Sequence, residues 1–171
     1  QAIYFATKAS IVIWPLVWIT ASRKYFAKMF GGQKNKSIIW GTVSGIAILL
    51  AVTLTYFFLS DFLTQFSANF KAKAEDLNFL KHYILFSFFL SVIHSFIEEY
   101  YWRWFIFNGL KLKMKVLSAA IIGSLGFASH HFLILTEFFP LYLSAIGTAT
   151  IFAAGLMWSG IYIKSGNIWG G

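Results

Sequence analysis

The sequence predicts an all-α protein, a polytopic bundle of transmembrane helices, and three observations point there. The chain has 171 residues, of which 58% are hydrophobic and 20% aromatic, and only 12% are charged. A soluble domain carries about 25% charged residues. The charges here fall in short clusters between apolar runs, and each run approaches the roughly 20 residues a helix needs to cross a bilayer core. No internal repeat, heptad or low-complexity tract breaks the pattern. Residues 1–171 are therefore expected to form a single integral-membrane domain, incomplete at both ends, since the chain opens at Gln1 and stops just after a new apolar onset.

At least five spanning helices are expected, with a sixth truncated. The first covers residues 2–21, with Pro15 as a kink because proline removes a helical donor. The second covers 37–59 and the third 77–110. The third is longer than a simple span, so it is either tilted or extended along the interface over 77–83. The fourth covers 116–139, the fifth 140–163, and a sixth opens at Asn167, Ile168 and Trp169.

The connections set the topology. The first loop holds Arg23, Lys24, Lys28, Lys34 and Lys36 without an acid, the third holds Lys111, Lys113 and Lys115, and the fifth carries Lys164. The second mixes Lys71 and Lys73 with Asp61, Glu75 and Asp76, and the fourth carries Glu137. By the positive-inside rule the odd-numbered loops are cytoplasmic, which predicts a multi-pass protein of the cell membrane. The same rule accounts for the net charge of +8, so no nucleic-acid partner is expected. With no cysteine in the chain, thiolate metal sites, disulfides and a cysteine nucleophile are excluded.

Within the third segment, FSFFLSVIHSFIEEYYWRWFIF, the charged residues Glu98, Glu99 and Arg103 stand where charge is costly. An ionisable side chain at the bilayer centre costs at least ~2.5–3.5 kcal/mol and is usually functional. Helical residues four apart share a face, so Glu99 and Arg103 are expected to form an ion pair with the acid on the N-terminal side. Glu98 points elsewhere and has no Lys or Arg at that spacing. A carboxyl in such a low-dielectric place suits a general base or acid near neutral pH. His94, four residues earlier, can orient it. The bland alternative is a packing network at a subunit contact.

The fourth segment contains IIGSLGFASHHF. Gly123, Ser124, Gly126, Ala128 and Ser129 make one side of that helix small, so a neighbouring backbone can approach. His130 and His131 are thereby delivered to the interior, with Phe127 packed beside the His131 ring. The carboxylates of the third segment are their natural company. A lone membrane histidine is more often a helix–helix hydrogen bonder than a catalyst, but a pair facing a diacid favours chemistry.

These residues resemble a known family. EEYYWR, with Glu98, Glu99 and Arg103, is similar to the EExxxR motif, and FASHH, from Phe127 to His131, to the FxxxH motif. Both belong to the CAAX-protease and bacteriocin-processing (CPBP or Abi) family of intramembrane endopeptidases. The run KSGNIW, ending at Trp169, resembles the turn before that family's last catalytic helix. The resemblance covers residues 77–171 and implies a catalytic core there that hydrolyses peptide bonds within the membrane. It implies that Glu98 activates water, that His131 works with it, and that Glu99 and Arg103 are the supporting pair. The family places a further histidine, with Asn or Asp four residues on, in the helix after the Ile-Trp turn, a position that the sequence to Gly171 does not reach. Gly170 and Gly171 stand where the family often has proline, and His130 is a histidine its motif does not call for.

Amide hydrolysis needs an activated water, stabilisation of the oxyanion and a proton for the leaving amine. Glu98 can serve as base and then acid, while His131 holds the water or donates to the oxyanion. Zinc competes for the same residues, since one glutamate and two histidines supply three ligands. The spacing is not HExxH, and His130 and His131 diverge by about 100° on a helix. The sequence therefore favours a glutamate mechanism without a cofactor over zinc. The expected partners are the lipid bilayer and a peptide or protein substrate within or at the membrane. Two rivals remain: a transporter or proton relay, which usually shows repeats or broken helices, and an inactive relative serving as an immunity or scaffold protein.

Overall fold

A computed structural model describes residues 11–20, 30–67, 71–72, 75 and 83–170. Every regular element among them is helical. Helix α1, described over Ile11–Thr20, is apolar and runs unbroken through a buried Pro15. Helix α2 (Lys34–Thr64) buries only Ser37 and Ser44, and its apolar residues face outward; Phe57 and Phe58 are each 74% exposed. Such an apolar surface suits lipid and not water. Backbone angles leave the helical range at Leu59, so α2 kinks there, at the end of the segment foreseen from sequence.

Helix α3 (residues 83–111) differs from the regular span expected of 77–110. It alternates α segments (Tyr83–Phe88, Ser95–Glu98, Asn108–Lys111) with π-helical ones (Phe89–His94, Glu99–Phe107). The wider π turn is rare and concentrates at functional sites. Ser95 caps the first wide turn by donating its hydroxyl to the Leu90 carbonyl, five residues back, at 3.3 Å. The interfacial extension foreseen over 77–83 lies outside the described residues, apart from Tyr83.

Helices α4 (Val116–Leu135) and α5 (Leu141–Ser165) form a hairpin. The fourth helix stops earlier than expected because residues 136–139 turn back, with the Phe139 amide bonded to the Leu135 carbonyl, and Pro140 starts α5. The small side of α4 faces α5. A Cβ placed on Gly155 would stand 3.2 Å from the Ser124 Cβ, so the helices touch there. Gly123, Ser124 and Ala128 are buried as expected, whereas Ser129 is exposed and turns its hydroxyl to the Gly126 carbonyl. Helix α5 ends at Gly166, whose φ of 66° is a left-handed cap that favours glycine.

By length and composition, three helices can cross a membrane: α2, α4 and α5. Of the other two expected spans, α3 alternates α and π turns along its length, and the first is described only over residues 11–20. At the onset foreseen for a sixth span, Asn167 is followed by a 3₁₀ turn, Ile168–Gly170.

That turn locks onto the start of α2. Ser37 donates its hydroxyl to the Asn167 carbonyl at 2.9 Å, and Asn167 Nδ2 donates to the Gly31 carbonyl at 2.9 Å. The Gln33 amide donates to the Ser165 carbonyl at 2.7 Å. A Cβ on Gly41 would come within 2.6 Å of the Gly170 Cα, so only glycine allows this approach. The core of Phe107, Ala119, Ala120, Tyr162 and Ile168 sits where α3, α4, α5 and the turn meet. Asn108 ties it together by donating to the Tyr162 hydroxyl at 2.8 Å and to the Trp104 carbonyl at 2.7 Å.

Candidate active site

Glu98 and Glu99 are neighbours on α3 with different surroundings. Glu99 and Arg103 form the expected pair, with Nη1 3.1 Å from Oε1, and their side chains are only 6% and 2% exposed. The guanidinium lies over the Phe127 ring at 4.5 Å and the Trp158 ring at 5.3 Å. Aromatic faces attract a cation most when it is desolvated. Its nitrogens meet no aligned hydrogen-bond acceptor among the described residues, so charge and ring faces hold it. Trp158 was not singled out from sequence.

Glu98 is 18% exposed and points the other way, toward imidazoles. His94 Nε2 and His130 Nε2 each stand 3.3 Å from its Oε1, and His131 Nε2 stands at 3.8 Å. The His94 contact is the i,i+4 one foreseen. The convergence of both α4 histidines is not: the divergence of about 100° expected for adjacent helical positions is overcome. Their side chains swing together around Glu98 until the ring centroids are 4.0 Å apart.

Each ring is held. His131 donates Nδ1–H to the Phe127 carbonyl at 3.0 Å and packs against the Phe127 ring at 4.6 Å, as its sequence position implied. That bond leaves the Nε2 lone pair facing Glu98. His130 lies nearly parallel to Trp102, with centroids 5.6 Å apart and 5° between planes. Trp102 fits because residue 126 is glycine: a Cβ there would sit 2.7 Å from Trp102 Cζ3. His130, treated from sequence as an extra, is therefore as close to Glu98 as any histidine.

The arrangement can do two things chemically. A lone pair on His131 and an ionised carboxylate oxygen on Glu98 are both acceptors, so a hydrogen donor belongs between them, and a water that donates to both fits. Alternatively, Glu98, His130 and His131 can hold a metal ion, since one ligand atom of each lies within 4.8 Å of the others. The geometric objection to zinc raised from sequence is removed.

Residues 80–171 match the family described as type II CAAX prenyl endopeptidase, Rce1-like. No curated protein and no solved structure matches the chain.

Proposed function

The chain belongs to the type II CAAX prenyl endopeptidase Rce1-like family, and from that premise we propose that it is a multi-pass intramembrane endopeptidase of the cell membrane using Glu98 to activate water. Its substrate is a membrane-associated peptide or protein, prenylated or leader-bearing. Water held between Glu98 Oε1 and His131 Nε2 gives its proton to Glu98 as its oxygen attacks the scissile carbonyl. Glu98 then returns that proton to the leaving amine, which breaks the C–N bond. His94 and His130 steer the carboxylate. Glu99 and Arg103 brace the helix behind it.

The observation that carries this reading is the division of labour between the two carboxylates. If Glu98 became a metal ligand, the site would lose its base, and Glu99 is committed to Arg103. Zinc peptidases of the HExxH type keep a separate glutamate for that role. A strong chelator is therefore expected to leave cleavage by the purified full-length protein largely intact. Activity lost on chelation and restored by zinc would overturn the mechanism while keeping the residues.

The five-span, odd-loops-inside topology belongs to the same proposal. The chain has no cysteine, so single cysteines at the exposed positions Lys113 and Glu137, on either side of α4, can be labelled without background. Labelling from opposite sides of intact cells is expected, and labelling from one side overturns the topology.

A further inference from the structure

We propose that Glu98, His130 and His131 form a divalent-metal site of zinc type, and that occupying it silences the protease. The proposal rests on the glutamate mechanism above, because it takes Glu98 to be the base that the ion removes.

The donor set is one carboxylate oxygen and two imidazole nitrogens from two different helices, all within 4.8 Å. Imidazole suits zinc and its transition-metal neighbours, whereas magnesium and calcium take oxygen. Tetrahedral ligands bound at ~2.0–2.2 Å stand about 3.4 Å from one another. Glu98 Oε1 lies 3.3 Å from His130 Nε2 and 3.8 Å from His131 Nε2, and no pair in the set is more than 4.8 Å apart, so rotation of the side chains can bring the three atoms around one ion.

The supporting groups are also those of a metal site. A ligating histidine usually donates its other nitrogen to a carbonyl or carboxylate, which fixes the tautomer. His131 does so to the Phe127 carbonyl. Trp102 fixes the plane of His130 by stacking, and His94 holds the carboxylate from its other side. Bound to the ion, Glu98 accepts no proton from water, and no second free carboxylate stands among the described residues of the site. His130 lies outside the FxxxH pattern, so this sensitivity is a property of chains with a histidine at that place.

The test uses purified full-length protein stripped with a chelator, then titrated with zinc chloride. We expect about one zinc per chain by elemental analysis and at least about tenfold slower cleavage at saturation, reversed by chelator. Since metal sites lose ~10–100-fold in affinity even when only a supporting group is changed, His130→Gln is expected to raise the zinc concentration for half-inhibition of its remaining activity by at least about tenfold. Cobalt(II) bound to the wild-type protein should show the strong visible bands of a tetrahedral site, a readout independent of how the variant folds. No stoichiometric zinc, no cobalt bands, or a folded His130→Gln protein with unchanged zinc inhibition would each overturn the site. A stripped enzyme that is inactive until zinc is added would overturn both the inhibitory role and the glutamate mechanism. A stripped enzyme that is active and indifferent to zinc would overturn this inference alone.

Discussion

Two faces of one helix, a single residue apart in sequence, differ in almost every physical respect. On one face of α3, Glu99 is sealed with Arg103 under Phe127 and Trp158, and on the other Glu98 stands part-exposed among three imidazoles. The closed face neutralises its charges internally, which is what a bilayer demands of a structural pair. Among the described residues, the acid on the open face has no guanidinium or ammonium partner. A membrane protein tolerates that cost where the acid has work to do.

The largest effect is expected where the comparison is sharpest. Glu98→Gln keeps the size of the side chain but removes the base, and should lower peptide cleavage by the ~10²–10⁴-fold that general acid–base groups supply. Detergent stability and elution on size exclusion should be unchanged. Substantial cleavage by the folded variant would end the assignment of Glu98 as the base.

Glu99→Ala should invert that pattern, because it leaves Arg103 buried and unpaired. Breaking a buried pair costs ~3–5 kcal/mol, so melting in detergent should fall sharply and recover in part when Arg103→Met is added. Single and double variants as stable as wild type would show that the two faces are not divided as described.

The smallest effect tests how His130 is held. Gly126→Ala puts a Cβ 2.7 Å from Trp102 Cζ3 and must displace the ring that stacks on His130. Overpacking of this kind costs about 1–3 kcal/mol. A drop in activity exceeding that of Gly160→Ala, where a Cβ meets nothing within 4 Å, is expected at equal expression. Equal activity of the two would remove Trp102 from the positioning of His130.

Much of this site was legible in the sequence because its contacts are local. Glu99 with Arg103, His94 with Glu98, and Phe127 with His131 are all four residues apart, and helical periodicity pairs such positions before any fold is known. The approach of α4 to α5 was foreshadowed by the small residues of IIGSLGFAS, although Ser129 proved to lie off that side. His130 was not legible. Its contact with Glu98 depends on side-chain torsions and on Trp102 from another helix, neither of which leaves a periodic trace. The π turns of α3 were hidden too, since no proline or glycine marks them within the aromatic run 99–107. Hydropathy sees a continuous apolar stretch where the backbone changes its turn.

The join between the 3₁₀ turn and the start of α2 bears on how the protein is made. Ser37 and Asn167 are 130 positions apart, and at roughly 5–20 residues per second on the order of ten seconds of synthesis separate them. During that interval the Ser37 hydroxyl and the Gln33 amide lack the partners they have in the finished protein. Helix α2 can enter the bilayer early, but its N-terminal end is secured only when the turn after α5 emerges from the ribosome. The start of α2 therefore stays unlatched through most of the synthesis of the helices that follow it, and the residues that latch it are among the last of the described ones to be made.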